Sequence, residues 1–301
     1  MTYHLLRILL KVAAHMPFWL LYGVADVLFV LLYYVVRYRR AVVRRNLTEC
    51  FPEKPLPEIK RIERRFYRNF ADQLAETCKM SGMSPEQMGR RMRFVNVDEV
   101  NKSLREHRSV ALFLGHYGNW EWVSSMPLHL EKSALPAQIY HKLRNESFDR
   151  IMSGNRAVFG ATSVDMYKTA RFIKQLGDEG ICSIIGFIAD QSPKWRELHY
   201  YLPFLNHDTP VLTGTEKIVK HFGFEAWFLD VRKLRRGFYE ARFVRMHPQP
   251  KALKDFELTD LYFKMLEDMI RRDPELYLWT HNRFKHARRL NEQISAQKDE
   301  N

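Results

Sequence analysis

The chain has 301 residues, 46% of them apolar, with 48 Lys and Arg against 35 Asp and Glu for a formal charge of +13. That length can bury one large core, and the positive surplus favours an anionic partner: nucleic acid, a phospholipid surface or a phosphorylated substrate. Three scattered cysteines, Cys50, Cys78 and Cys182, show no CxxC spacing; this excludes a disulfide framework and places the bulk of the chain in a reducing compartment.

In chain order, the first element is Met16 to Val36, MPFWLLYGVADVLFVLLYYVV, where only Pro17, Gly23 and Asp26 depart from apolar. As a helix it reaches roughly 30 Å, the thickness of a hydrocarbon core. One mid-span aspartate costs about 2.5–3.5 kcal/mol on insertion scales, which the surrounding Leu, Phe and Val offset. Arg37, Arg39, Arg40, Arg44 and Arg45 follow it and outweigh Arg7 and Lys11 before it, so the positive-inside rule leaves the rest of the chain cytoplasmic. The expectation is a single membrane-spanning helix. The other readings are a helix lying in the interface or packed onto the domain, and an ordinary core helix. The domain division expected is 1–45 for this anchoring segment and its basic flank, 46–290 for one catalytic domain, and 291–301 for a polar tail.

Next, Ile59 to Lys79 reads as an amphipathic helix with Ile62, Phe66, Phe70, Leu74 and Cys78 on its apolar face. Beyond it the pattern is α/β. Strands are expected at Val110 to Gly115, Ala137 to Tyr140, Ile181 to Ala189 and Ala226 to Val231. Helices are expected at Tyr167 to Leu176, at Thr213 to His221 with Thr213 and Glu216 as a capping box, and at Thr259 to Arg272. A hairpin turns at Arg235, Arg236 and Gly237 and returns through Phe238 to Met246. The fold class is therefore α/β, a mixed, partly parallel sheet flanked by helices, with an antiparallel edge.

One motif carries chemistry. The apolar run Val110 to Leu114 reads as a buried strand, and His116 follows its C-terminal end, where open α/β sheets place ligands. Gly118 and Asn119 suit a turn, with Glu121 in the first turn of the next helix. A carboxylate bonded to one imidazole nitrogen sets the tautomer and leaves the other nitrogen as a base. No GxSxG elbow or placed cysteine supplies a nucleophile; Cys182 lies inside the apolar run ICSIIGFIA and reads as a buried small hydrophobe. The attacking group would then be a substrate hydroxyl. A strand-end histidine without chemistry is the plain alternative.

The spacing H-x4-E after an apolar strand is similar to the H-x4-D/E motif of the glycerolipid acyltransferase superfamily. GHYGNWEW resembles its lipid A late acyltransferase branch, and the likeness extends through RRAVVRRNLTECFPE (Arg39 to Glu53), RNESFDRIMSGNRAVFG (Arg144 to Gly160), IADQSP (Ile188 to Pro193) and YLWTHNRFK (Tyr277 to Lys285). The resemblance implies His116 as general base and Glu121 as its orienter. It also implies Arg156 as a cation for a thioester oxygen or phosphate, and Asp190 as the acidic residue of the ADQ block at the same sheet edge. Asn119 and Gln191 are candidate hydrogen-bond donors to the substrate, with a turn-forming role equally open for each. Arg144, Arg283 and Lys285 are candidate substrate-binding cations. For Arg156 and Asp190 the alternatives are a surface cation and an N-cap or salt-bridge partner.

The implied reaction moves an acyl chain from an acyl carrier protein or coenzyme A thioester to a hydroxyl of a lipid A precursor, with no cofactor and no metal. The loop SPKWRELHYYLPFLNHDTPVLTG departs from the family's usual text after ADQ, and no FPEGTR-like phosphate block is present; both bear on the acceptor. The rivals are a lyso-phospholipid or aminoacyl lipid as acceptor, and an inert lipid-binding module. No HExxH or paired spacing links the remaining histidines. The basic, aromatic segments LRRGFYEARF and WTHNRFKHARR admit a nucleic-acid reading. Beside a membrane segment, anionic headgroups or glycolipid phosphates explain them with fewer assumptions, so the expected partners include a membrane and no nucleic acid.

Overall fold

The computed structural model describes residues 10–195 and 198–288; the expected polar tail at 291–301 lies outside the described residues. Helix α1 (Phe18–Val30) runs on as a π-helical turn, Leu31–Val35. Helices α2 (Arg40–Cys50) and α3 (Leu56–Lys79) follow. Pro57 in the first turn of α3 donates no hydrogen bond where none is required, and Glu58 and Lys79 complement its dipole at the two ends.

The apolar stripe expected on α3 drifts out of the core along the helix: Ile62 and Phe66 are buried, whereas Leu74 is exposed. A strict four-residue step rotates about 40° per interval on a 3.6-residue helix, so five such positions cannot share one narrow face. The buried face continues instead through Glu63, Asp72, Gln73 and Glu76. Burying carboxylates is tolerated only with partners. Arg40 and Arg44 hold Glu63, while Lys233 and Arg236 hold Asp72. Glu76 accepts from Tyr22 Oη (2.9 Å), Tyr239 Oη (2.9 Å) and Asn119 Nδ2 (2.8 Å).

Helix α4 (Pro85–Arg91) opens on a capping box from Ser84 and Gln87. Strand β1 (Met92–Val95), helix α5 (Val97–Arg105), β2 (Val110–Leu114), β3 (Leu135–Tyr140), α6 (Glu146–Arg156), β4 (Thr162–Asp165), α7 (Thr169–Asp178) and β5 (Ser183–Ile188) follow. A two-stranded ribbon, β6 (Tyr201–Phe204) and β7 (His207–Pro210), precedes α8 (Gly214–Phe222). Then come β8 (Glu225–Arg235), β9 (Phe238–His247) and α9 (Glu257–Arg272).

The seven-stranded sheet has the order β1-β9-β8-β2-β5-β3-β4. Strands β8, β2, β5, β3 and β4 are mutually parallel, and β9 runs antiparallel to β8. The fold class is as expected, with one difference: the antiparallel pair is not the edge, because β1 pairs with β9 outside it. Strands β1, β4, β6 and β7 carry only four residues each, too short for an alternation signal. On one face of the sheet, Phe113 packs against Tyr262 of α9 at a ring separation of 5.3 Å. The other face, with Leu112, Leu114, Gly186 and Ile188, borders a cavity.

The capping box expected at Thr213 and Glu216 does not form. Thr213 has αR backbone angles and makes no side-chain cap bond. Glu216 is buried, and its carboxylate accepts from the backbone N–H groups of Phe256 (2.8 Å) and Thr259 (2.9 Å). It caps the start of α9 across space, where free N–H groups and the helix dipole favour a negative charge.

Candidate active site

Register brings a carboxylate and an imidazole, far apart in the chain, together. In the parallel pair β2/β5, Leu114 lies beside Ile188. Two residues further along each chain stand His116 and Asp190, on strands about 4.8 Å apart. His116 Nδ1 is 2.6 Å from Asp190 Oδ1, and the backbone N–H of His116 donates to Asp190 Oδ2 at 3.0 Å. The carboxylate thus grips both ring and backbone of the same residue.

Burial works to raise the Asp190 carboxyl, but the charge and hydrogen bonds of His116 and the nearby Arg283 cation outweigh it and hold the group below its usual range. Asp190 is therefore ionised near neutral pH and acts only as an acceptor. Nδ1 of the neutral ring must then carry the proton, and Nε2 presents a lone pair. Gln191 Nε2 lies 3.3 Å from that atom, and Trp120 packs edge-on to the ring at 5.3 Å. The His116 side chain keeps 20% of its surface open, against 1% for Asp190, so the ring is reachable and its partner is not.

The loop that carries His116 is clamped from three sides. Tyr262 Oη donates to Leu114 O at 2.9 Å, Leu278 N–H donates to His116 O at 3.0 Å, and Gly118 N–H donates to Leu276 O at 2.9 Å. A Cβ at Gly115 would stand 2.6 Å from Leu266 Cδ1, so any larger residue there requires the Leu266 side chain of α9 to move. Gly118 has φ +58°, the left-handed region that makes the turn after His116.

Glu121 does not orient His116. Both its oxygens are taken by Arg156: Nε donates to Oε2 at 2.7 Å and Nη2 to Oε1 at 2.6 Å. Glu121, expected in the first turn of the next helix, stands one residue earlier, as the N-cap of the 3-10 turn Trp122–Leu128. The local pattern could not show that α6 delivers a guanidinium to the same spot, and a planar, bidentate fork outcompetes a single imidazole bond. Burial lowers the affinity of Arg156 for its proton, but the Glu121 bonds and charge raise it further. Arg156 is thus a cation held in place by Glu121 on the wall of the same cavity as His116.

The other expected residues divide. Gln191 lines the site with His116, Glu121 and Arg156. Asn119 does not: it is wholly buried, accepts from Trp122 N–H (3.1 Å) and donates to Glu76 (2.8 Å). It closes the turn and lies outside the residues that border the cavity. Arg283 is not a surface cation either. It is 1% exposed, donates Nη1 to Pro210 O (3.0 Å) and sits between Phe204 and Phe263, with Nε and Nη2 unpaired among the described residues. Its field reaches Asp190, so its effect on substrate is indirect. Arg144 and Lys285 are exposed, outside the residues that border the cavity. Cys182 precedes β5, at the end of the sheet opposite His116, and burial raises its thiol.

The cavity itself holds about 690 Å³ and is walled mainly by apolar side chains, among them Leu112, Val123, Met126 and Ile139. Leu143, Phe148, Met166 and Tyr167 border it and remain exposed. His116, Gln191, Glu121 and Arg156 are among its charged or polar lining groups, the combination expected of a ligand site.

Two supports escaped sequence reasoning. Glu76 is one; no local pattern distinguishes it from the solvated acids of α3. His281 is the other: its Nε2 accepts from Ser192 N–H at 3.2 Å, next to Gln191. Burial, reinforced by the Arg283 charge, pushes its pKa down to about 4 from the ordinary 6.5. Between these values the unfolded chain binds more protons than the folded one, so stability falls with decreasing pH there. Stability against denaturant should therefore hold above about pH 6.5 and decline from there to about pH 4, and His281→Gln should flatten that slope. An unchanged slope in the variant would remove His281 as its source.

A family model described as bacterial lipid A biosynthesis acyltransferase matches residues 1–286. Among curated proteins, none matches the chain.

Proposed function

This chain belongs to the bacterial lipid A biosynthesis acyltransferase family, and on that premise we propose a membrane-bound O-acyltransferase in which His116 is the general base. The observation that carries the proposal is the His116–Asp190 pair at the edge of a large apolar cavity. The donor is the thioester of an acyl carrier protein or coenzyme A; the basic surface suits either, since both are acidic. The acceptor is a hydroxyl of a lipid A precursor.

In this mechanism the acyl chain occupies the cavity with its thioester carbonyl near His116. Nε2 removes the proton of the acceptor hydroxyl as its oxygen attacks the carbonyl carbon, and the resulting imidazolium is stabilised by Asp190. The tetrahedral oxyanion is met by the Gln191 amide and the Arg156 charge. Collapse breaks the C–S bond, and His116 returns its proton to the thiolate. No acyl-enzyme forms. Base catalysis of this kind is worth roughly 10²–10⁴ in rate.

Mass spectrometry of lipid products tests the reading. The solubilised chain is incubated with an acyl carrier protein thioester and, in parallel, an under-acylated lipid A precursor and lysophosphatidic acid. Acylation of the glycolipid is the expected result. Acylation of the lysophospholipid alone would replace the acceptor, and acylation of neither, with a folded chain, would leave a lipid-binding module.

The cavity makes a second prediction. Gly186 lies beside Leu112 of β2, four residues and about 13 Å along the strand from His116. A Cβ there meets Leu114 Cδ2 at 3.6 Å, ordinary contact, so a larger residue fits by filling cavity space. Gly186→Val should shift the preferred donor to shorter chains, by roughly fourfold for each methylene displaced. A series of thioesters of graded length measures it; an unchanged profile would place the acyl chain elsewhere.

A further inference from the structure

The apolar N-terminal helix is long enough to cross a bilayer, yet its packing describes a different placement. It runs antiparallel to α3 from end to end. Lys79 Nζ donates to Ala14 O (2.6 Å), and Tyr22 Oη donates to Glu76 (2.9 Å). Arg236 bridges Asp26 (2.8 Å) and Asp72 (2.6 Å). The Arg68 guanidinium lies 5.2 Å from the Phe29 ring, and Tyr33 meets Tyr67 at 5.3 Å. Leu21, Ala25, Phe29 and Tyr33, a four-residue repeat, are the buried stripe.

The opposite face is apolar and open: Trp19 is 75% exposed, Val27 70% and Val35 67%, with Val24, Val30 and Leu31 between them. A monomer rarely leaves so continuous a patch to water. Along the seam stand exposed cations, Arg37 at the end of the apolar run and Arg64 and Arg68 one turn apart on α3.

We propose that α1 lies in the plane of the membrane interface, its Trp19–Val27–Val35 face immersed beneath anionic headgroups, and does not cross the bilayer. Crossing would draw Glu63, Asp72, Glu76, Arg64 and Arg68 of α3 into hydrocarbon with it, or would strip Asp26 of Arg236 and leave its charge alone at mid-bilayer; both are strongly unfavourable. Lying flat keeps every one of these ion pairs and buries only the face that has no protein partner. The occupant is a lipid surface and not a protein, because the patch is a broad apolar side of one helix, with no groove for a partner side chain among the described residues, bordered by arginines whose charge complements anionic lipid. The inference rests on the membrane association proposed above and is independent of acyl transfer.

Nitroxide labels at Trp19→Cys, Val27→Cys and Val35→Cys, each in a Cys78→Ser background with Cys50 and Cys182 buried, measure depth in vesicles of phosphatidylethanolamine and phosphatidylglycerol. The outer labels are about 24 Å apart along the helix. Shallow depths at all three, differing by no more than the helix radius and none near the bilayer centre, are expected. A profile with Val27 deep and the outer two shallow would sink the proposal while keeping the membrane. Labels that stay in water would overturn both, whatever the acyl transfer assay shows. Arg37→Ala with Arg68→Ala should weaken binding to these vesicles by roughly 30-fold, from about fivefold for each arginine, and leave binding to phosphatidylcholine vesicles little changed. Equal weakening on both vesicle types would remove the anionic headgroup from the proposal.

Discussion

Asp190→Asn lowers acyl transfer by roughly 10²–10⁴, as far as His116→Ala does, whereas Glu121→Gln leaves the histidine tautomer untouched. The physical reason lies at Nδ1. Asp190 accepts the Nδ1 proton at 2.6 Å, which leaves Nε2 free to accept one from a hydroxyl. An asparagine of the same shape can turn its amide N–H toward Nδ1, so that the ring proton moves to Nε2 and the base is lost without any change in fold. Nitrogen NMR of the ring, beside single-turnover transfer, separates the possibilities. The expected signature is Nδ1–H in the parent and Nε2–H in Asp190→Asn. Full activity in Asp190→Asn, with Glu121→Gln as inactive as His116→Ala, would return the orienting role to Glu121.

The second large effect concerns Arg156 and Glu121, whose side chains keep 19% and 8% of their surface open. Arg156→Met leaves the Glu121 carboxylate uncompensated on an apolar wall. Removing one member of a buried pair costs about 3–5 kcal/mol, and this pair, partly open to the cavity, belongs at about 3 kcal/mol. Replacing both, as Glu121→Gln with Arg156→Met, should recover most of that stability, because no lone charge remains. It should not recover activity if the Arg156 charge meets the oxyanion. Thermal unfolding and acyl transfer on the three variants measure the two effects apart. A double variant that regains both would reduce Arg156 to a structural partner of Glu121.

These two experiments fall where reading the chain and folding it diverge. The strand Val110–Leu114, the position of His116 past its end and the turn at Gly118 follow from local chemistry: an apolar run, a polar break and a residue free to take positive φ. The resemblance implies both acids, with Glu121 as the orienter and Asp190 as the acid of the ADQ block at the same sheet edge. Glu121 is five residues from the histidine and Asp190 is 74. Pairing of β2 with β5 in register erases that difference, and α6 then occupies Glu121 with Arg156. Asn119 and Arg283 show the same limit. Polar residue types announce hydrogen-bonding capacity but not its direction, and here Asn119 turns inward to Glu76 while Arg283 is enclosed by Phe204, Phe263 and Pro210 O.

The sequence by itself determined what short-range physics can determine: the α/β class, the main strands of the sheet, a histidine just past the end of one of them and an apolar N-terminal helix able to meet lipid. Only the tertiary structure decided which carboxylate holds His116, which cations stay in the core, and that one face of α1 is spent on α3. Composition measures how apolar a segment is over its whole circumference. Which side of it remains available depends on partners that arrive from residues 63–79 and from Arg236, and no local pattern records their approach.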